Sequence, residues 1–590
     1  MYPSSARTES TKGNAPIIQP KLSLPFKHEM AGSAFSAVDP ISSQETVPIF
    51  ALSTREQKQD QGPSGNEIDD IANQATLPLP ILKGISDQRQ VIATTASSAA
   101  IAGMGDLTFA VFRYITNVVI TNLVSVSIFG LYSIAYTSAL IVGSIAVLGL
   151  DSTTVRFLSI YRARDEHNLA AGLIRFVLWM TLISGLLCGV LFYFSATVVA
   201  HVIYHKDAYA LPLKEVTLLV PLISLQLVLG SGLQALKAIH WKVLVDRLIP
   251  PTLTLVLIVV FYLLGLRLDA LILATICGFL ASVITGQFLF RKASRRIVCD
   301  TVPGYEPKIW LRFALPMSFY VFIQIVMNST DILFLTVFGT AAQVGLYSAA
   351  DRASTFALMP LLALNTIFSP LIAEYYARGE HEQIASLFKV VTKWSFSLTL
   401  PVFLCFFVFH NAILSIFSKE YTSASIVLII LSFGYLANAA AGFAGGLLLM
   451  TGHPRVILAN SAATIIANLG LAFFLVPRFN VIGAAVAATL ALIILDVVYI
   501  IEAYWILKTH TFRLDMLKPV AAGGTASMVG LLLLRIIHVG FGYRAIFGAL
   551  VLVILFMLVY VFVLSLLRFS KEDMMVFDAV LARIGKKKHT

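Results

Sequence analysis

The chain has 590 residues, 58% apolar and only 13% charged, with a mean hydropathy of +0.83. Soluble domains carry about twice that share of charge, so a water-soluble enzyme is excluded and a polytopic membrane protein is indicated. The net charge of +11 does not point to nucleic acid, because the lysines and arginines fall in short clusters between apolar runs.

Residues 1–91 are rich in Ser, Thr, Gln, Pro and Gly and lack periodicity. They read as a disordered cytoplasmic tail rather than a secretory signal, since no basic segment leads into an apolar stretch and a cleavage site. From residue 92 onward come apolar runs long enough to cross a hydrocarbon layer of roughly 30 Å, which takes about 20 helical residues. Fourteen are expected, near 94–121, 129–150, 170–200, 213–236, 248–266, 270–290, 311–337, 346–372, 390–417, 423–449, 456–477, 481–504, 516–538 and 544–567. The runs are continuous, not alternating, so helices are expected rather than a barrel. A basic tail follows at 571–590.

With the N-terminus inside, the inside loops and C-terminal end carry 25 Lys and Arg and the outside loops 7. This is the asymmetry of a membrane protein with both termini cytoplasmic. One helix more or fewer would invert every later loop.

An internal repeat runs through the first twelve helices. Gly130-Leu-Tyr-Ser133 recurs as Gly345-Leu-Tyr-Ser348, and Ala163-Arg-Asp-Glu-His167 as Ala377-Arg-Gly-Glu-His381. Arg175 pairs with Lys389, His240-Trp-Lys-Val243 with His453-Pro-Arg-Val456, and Ala274-Thr275 with Ala488-Thr489. The offsets stay between 213 and 215. Six helices per copy is an even number, so both copies insert in the same direction. The expected architecture is all-α: two parallel-repeat six-helix lobes (92–305 and 306–510) plus a C-terminal helix pair within 511–570. Such lobes rock around a site at their interface, which favours a transporter over a channel.

The second repeat carries Arg312-Phe-Ala-Leu-Pro316, Asp331-Ile-Leu-Phe-Leu-Thr-Val-Phe-Gly339, Val344-Gly-Leu-Tyr-Ser-Ala-Ala-Asp-Arg352, Tyr376-Ala-Arg-Gly-Glu380 after Pro370, and Gly483-Ala-Ala-Val-Ala-Ala-Thr489. In this order they resemble the polysaccharide transporter family, the O-antigen-type flippases of the multidrug/oligosaccharidyl-lipid/polysaccharide exporter superfamily. The resemblance covers about residues 92–510; the long N-terminal tail departs from it. It implies a flippase, not an enzyme, for undecaprenyl-pyrophosphate-linked oligosaccharide in a bacterial inner membrane. The implied partners are that substrate, membrane lipids and other polysaccharide-assembly proteins, with no nucleic acid. The alternatives are a multidrug or toxin extrusion antiporter and a lipid II flippase on the same fold. A membrane polymerase or glycosyltransferase is disfavoured, because the longest external loop, near His201 to Leu213, is short and holds no acidic pair.

Ionisable residues inside membrane helices are functional candidates. Asp106 and Arg113 lie seven apart on helix one and share a face. Asp331 lies on helix seven, Asp351 and Arg352 on helix eight, and Asp496 on helix twelve, where it is placed in the outer half. Arg113 and Arg352 are expected to line the cavity and attract pyrophosphate or acidic sugars, since a guanidinium fork matches phosphate. Asn328, the repeat counterpart of Arg113, is a further cavity candidate. Asp106 and Asp331 are the candidates for H⁺ or Na⁺ coupling. The structural alternatives are an Asp331–Arg352 pair that locks one lobe and pairing roles for Asp351 and Asp496. Pro316 and Pro360 are expected to bend their helices, and the GxxxG at Gly442–Gly446 to permit close helix packing, with a hinge as the alternative. Gly230-Ser-Gly232-Leu-Gln-Ala235 is a chance match to a nucleotide-binding pattern, and small-residue packing is expected there. No Walker A, HExxH or GxSxG pattern occurs, and the four cysteines show no metal-ligand spacing, so no cofactor is expected.

Overall fold

The computed structural model describes residues 108–567 apart from 267, 299–301, 508–513, 538–539 and 542. The stretches 1–91 and 571–590, and Asp106 with them, lie outside the described residues. Among the described residues the chain is helical with no strand.

The first crossing, α1, spans 108–123. Next come α2 (Val126–Ala146, continued by Leu150–Ala163), α3 (His167–Val198), α4 (Leu219–Ala235), α5 (Ile249–Leu263) and α6 (Leu268–Val298). The second series is α7 (Pro307–Phe338), α8 (Ala341–Ser354, continued by Met359–Ala377), α9 (His381–Ser415) and α10 (Ser425–Ala441). One unbroken helical assignment, Pro454–Leu507, follows, and then α13 (Leu517–Ile536) and α14 (Tyr543–Leu566).

Eleven helices pass as spans by length and composition. Val456–Trp505 counts once among them, yet 50 residues would run about 75 Å if straight, more than twice a bilayer core. The chain reverses at Asn480, whose φ is 49°. A Cβ on Gly483 would strike the Leu475 carbonyl, and Asn460 donates to Glu502 at 2.6 Å across 42 residues. Both contacts require a hairpin of α11 (454–479) and α12 (481–507). With this split, the sixteen described residues of α1, and α8, which a 3₁₀ stretch at Thr355–Leu358 interrupts, the crossings number fourteen.

The repeat is visible in the backbone. Ser125 caps α2 by accepting from Ile128 N–H, and Thr340, 215 residues on, caps α8 by accepting from Gln343 N–H. Left-handed turn residues recur at the same spacing: Asp165 with Gly379, Lys237 with Gly452, and Gly265 with Asn480. Their neighbours close identical turns, Glu166 N–H to Tyr161 and Glu380 N–H to Tyr375. The α13–α14 pair packs on α9, where Phe409 meets Phe556 edge-on at 5.8 Å and the Tyr560 hydroxyl donates to the Ser397 carbonyl at 2.8 Å.

One end of the molecule collects the loops rich in Lys and Arg; we call it the basic end and the other the sparse end. Hydrophobic packing differs between them. In the sparse half one core unites both lobes, joining Phe129 and Ala139 of α2 to Tyr347 and Ala353 of α8 and Phe417 beyond α9. In the basic half there are two separate cores. One holds Leu158, Leu173 and Leu233 of the first lobe, the other Ile372, Phe388 and Leu447 of the second. Apart from α7, which reaches into both, the lobes therefore share a core at the sparse end alone.

The α2–α8 crossing makes the seal. A Cβ on Gly130 would run into the Ala341 carbonyl and lie 3.1 Å from Gly345 N, and a Cβ on Gly345 would run into the Val126 carbonyl and lie 3.2 Å from Gly130 N. The two glycines of the repeated Gly-Leu-Tyr-Ser motif thus face each other on the axis relating the lobes. Only residues without side chains let the backbones meet this closely.

Helix α7 belongs to both lobes. Trp310 and Ala314, near its basic end, lie in the first lobe's core. The Trp310 indole N–H donates to the Tyr161 hydroxyl at 2.9 Å, and the Arg156 guanidinium lies 4.6 Å from the centre of the Phe313 ring. Leu335, in the sparse half, joins the shared core. Pro316 lies inside α7 as expected. Pro360 instead follows the 3₁₀ interruption at the start of the second piece of α8. At the GxxxG the helix breaks: α10 stops at Ala441, Gly442 takes φ +70° and packs against Thr392 of α9, and a short helix, Ala444–Met450, follows. The dismissed Gly230–Ala235 pattern is small-residue packing, with Gly230 against the Asp246 carboxylate and Gly232 against the Phe290 ring.

Gly345→Val forces the two backbones apart at a cost of about 1–3 kcal/mol. A cysteine placed at Asn122, inside the seal, should then react several-fold faster with a membrane-impermeant maleimide. Unchanged labelling would show that the crossing does not close the sparse end.

Candidate functional site

Two neighbouring groups of polar residues lie where the shared core ends. The first lies on the seam between lobes. Arg352 closes the first piece of α8, and its guanidinium reaches into the first lobe. There it donates to the Asn117 side-chain oxygen on α1 and sits over the Phe129 ring at 5.2 Å. Tyr114 on α1 packs edge-on against Phe356 at 5.0 Å and Phe417 at 5.3 Å. Nearer the sparse end, the Asn122 amide donates to the Ile416 carbonyl at 2.8 Å. Arg113, one turn before Asn117, is exposed, and its charge bears on both Asp351 and Arg352.

Lys206 makes a further bridge at the sparse end. It stands in the α3–α4 connection, placed by a π-helical turn at Val199–Ile203 and a positive φ at His205. Its ammonium donates to the carbonyls of Thr336 at 2.7 Å, Val337 at 3.2 Å and Gly339. These carbonyls end α7 without intrahelical partners, so a cation there satisfies them and opposes the negative end of the helix dipole. Burial holds this ammonium below the usual lysine range.

The second group lines a cavity of about 180 Å³ inside the second lobe, walled by α7, α8, α10, α11 and α12. Asn328 and Asp331 come from α7, Tyr347 and Asp351 from α8, Tyr435 from α10, Thr464 and Asn468 from α11, and Thr489 from α12. The Tyr347 hydroxyl donates to Asp331. The lining is rich in oxygen, with two carboxylates, two amides and several hydroxyls. Such a donor set suits a proton or a small hard cation and not a soft metal. Among the described residues no cluster of three His, Cys, Asp or Glu exists, and Cys188, Cys277 and Cys405 are free.

The first lobe lacks this chemistry. At the repeat offsets Asp331 corresponds to Thr116, Asp351 to Tyr136 and Asn468 to Thr254. Tyr132, the counterpart of Tyr347, shares a hydrogen bond with Thr275 at 3.0 Å in place of a carboxylate.

Arg113, Asn328, Asp331, Asp351 and Arg352 are thus brought together. Asp331 and Arg352 do not pair, contrary to one expectation: Tyr347 takes the first and Asn117 the second, so Arg352 bridges the lobes instead of locking one. Asp351 lies between the Arg113–Arg352 charges and Asp331. Asp496 lies elsewhere. It is fifteen residues past the sparse-end turn at 481, about 22 Å along α12, so it occupies the basic half and not the outer one. Its partner is the Asn438 amide at 2.7 Å. Sequence reasoning missed Asn117, Lys206, Tyr347 and Asn468. Tyr347 stood in the repeated motif, but its contact with Asp331 is sixteen residues away and set by the helix crossing.

The sequence pattern of a family described as "Polysaccharide biosynthesis protein" matches residues 96–376, and that of the MatE family matches 316–474. The chain is 28% identical over 162 residues to the "Probable low-salt glycan biosynthesis flippase Agl15" of Haloferax volcanii, 27% of this chain and 34% of that one. It is 28% identical over 130 residues to the "Capsular polysaccharide biosynthesis protein CapF" of Staphylococcus aureus, 22% and 33% respectively. The chain therefore spans about a third of the length of these curated relatives. Among solved structures it resembles the lipid II flippase MurJ in an inward closed conformation, with TM-score 0.61 and 15% identity over 81% of this chain and all of that one. It also resembles an inward-facing MATE-family multidrug resistance transporter, with TM-score 0.54 and 15% identity over 68% and 98%. These likenesses establish the fold.

Lys206→Met keeps the aliphatic stem and removes the cap on α7. Losing charge-assisted hydrogen bonds to buried carbonyls should cost about 2 kcal/mol and lower the melting temperature of the purified protein by a few degrees. An unchanged melting temperature would make the bridge energetically idle.

Proposed function

We propose a function from one premise: this chain belongs to the polysaccharide-transporter branch of the multidrug/oligosaccharidyl-lipid/polysaccharide exporter superfamily. On that premise it is a flippase that carries undecaprenyl-pyrophosphate-linked oligosaccharide across a bacterial inner membrane by alternating access of its two lobes. The basic end faces the cytoplasm, following the positive-inside asymmetry. The conformation described is then the one sealed on the outer side.

The observation that carries this reading is the pair of arginines on the seam. Arg113 comes from the first lobe and Arg352 from the second, and they meet under the outer seal, where a substrate entering from the cytoplasm would end its path. Two like charges that bear on each other, Arg113 exposed and Arg352 inside the fold, favour an anion between them. A pyrophosphate matches two guanidinium forks, the glycan fits between the lobes, and the polyprenyl tail stays in lipid. Bound anion would draw on Arg352 and weaken its bond to Asn117, loosening the seal from within. This reading includes no enzymatic step.

Coupling to H⁺ or Na⁺ would act through Asp331 and Asp351. Asp351 neighbours Arg352 in sequence and faces the Asp331 cavity, so a cation bound there changes how strongly the carboxylates hold the arginines. Asp106, seven residues before Arg113 in the sequence, is a second candidate.

Arg352→Ala and Arg113→Ala should each cut export of surface polysaccharide by about tenfold or more while leaving membrane insertion and abundance unchanged. Normal export in both variants would remove the charged-seam account. Sodium chloride, substituted for choline chloride at fixed ionic strength, should raise the melting temperature of the wild type by a few degrees if the cavity takes Na⁺. Asp331→Asn should abolish that rise. A wild type indifferent to sodium would leave the proton as the coupling ion.

A further inference from the structure

Below the cavity, on the way to the basic end, the second lobe buries a third carboxylate. Asp496 is only 6% exposed. One of its oxygens accepts from the Asn438 amide on α10 at 2.7 Å. The other is sealed from solvent and has no hydrogen-bond partner. An ionised oxygen left so would cost several kcal/mol. Among the described residues no positive charge bears on the group, and it belongs to no cluster of three His, Cys, Asp or Glu. A proton on that oxygen removes the uncompensated charge.

Its surroundings form a series. Thr489 lines the cavity; Asp496 is seven residues further along α12, about 10 Å and two turns on, on the same face. Tyr499 follows, near Ser461 of α11 and Tyr320 of α7. Glu502 comes next, accepting from the Asn460 amide of α11 at 2.6 Å. The titratable groups around Asp496 are thus Tyr499 and Glu502 on its own helix and Tyr320 across from them; α10 and α11 present neutral Asn438, Asn460 and Ser461. Each carboxylate is held by one asparagine from a neighbouring helix, which leaves the other oxygen able to gain or lose a proton. Ser282, the repeat counterpart of Asp496, donates to the Val245 carbonyl at 2.7 Å, so no carboxylate stands at the equivalent position of the first lobe.

We propose that Asp496 is a proton-binding site of the second lobe, separate from the Asp331–Asp351 cavity, and that it passes protons between that cavity and the basic end by way of Tyr499 and Glu502. Only O–H bonds form and break, and water at either end supplies and accepts the proton. The direction of transfer rests on the coupling proposed above; the site itself does not.

The purified full-length protein tests the site. Asp496→Asn copies the neutral form and keeps the shape. A carboxyl that is protonated in the fold but ionised when unfolded destabilises the wild type progressively as pH rises above about 4. The variant should therefore match the wild type near pH 4 to 5 and gain over it by about one to two degrees per pH unit above that. Melting curves that run parallel from pH 5 to 9 would overturn the proposal. Should the variant not fold, dicyclohexylcarbodiimide, which attacks protonated buried carboxyls, decides on the wild type. The adduct is expected on Asp496 at pH 6 and diminished at pH 9; adducts on Asp331 or Asp351 with none on Asp496 would overturn it. In cells, Asp496→Asn should reduce export. Export lost in Arg352→Ala but normal in Asp496→Asn would sink the relay and leave the flippase reading standing; normal export in both would sink the relay and the charged seam together.

Discussion

The structure depends on one close approach, the crossing of α2 and α8 at Gly130 and Gly345. In a membrane the lobes gain little from burying apolar surface against each other, because lipid tails are equally apolar. What holds them is close packing and the polar contacts that packing permits. Backbone contact at the crossing brings Arg352 within reach of Asn117 and Phe129, Asn122 within reach of Ile416, and Lys206 within reach of the end of α7. Move the backbones apart by a side chain and each of these bonds is stretched. The same crossing explains why one core spans both lobes in the sparse half and two separate cores fill the basic half.

The repeat accounts for the frame and not for the chemistry. Caps, left-handed turns and hairpins recur at 214 or 215 residues because a helix end has the same unpaired groups in either copy. The three carboxylates of the second lobe's interior do not recur: Asp331, Asp351 and Asp496 stand opposite Thr116, Tyr136 and Ser282.

Much of the frame was legible in the sequence. Run lengths and charge asymmetry gave fourteen crossings, including the α11–α12 hairpin that length and composition merge into one. The Gly-Leu-Tyr-Ser motif marked the repeat, but nothing in it told that its glycines touch; the offset relates equivalent residues, and only those on the symmetry axis meet. Asp331 and Arg352 illustrate a second limit. Their spacing suggested a pair across a hairpin, yet each found a neutral partner, Tyr347 and Asn117, supplied by the helix crossings. Gly442 shows a third. A GxxxG pattern serves a continuous helix or a break equally well, and here the turn preceding Ala444–Met450 took the glycine for its positive φ.

Helix α7 gives the proposed coupling a physical route. Its basic half is fastened to the first lobe through Trp310 and Phe313, and its sparse half carries Asn328 and Asp331 into the second lobe's cavity and ends on Lys206. Pro316 removes a backbone donor within the basic half, where the helix bends at least cost. A change in charge at Asp331 would therefore act on an element tied to both lobes, and the strain would have two places to go: bending at Pro316, or the terminal carbonyls that Lys206 holds. If the bend absorbed it, the lobes would stay sealed. If the terminal carbonyls move, the Lys206 bridge and the α2–α8 crossing loosen together, because both lie at the sparse end of the same core. On the proposed coupling, cation binding in one lobe would in this way be joined to opening between the two, without any contact between the cation and the seam.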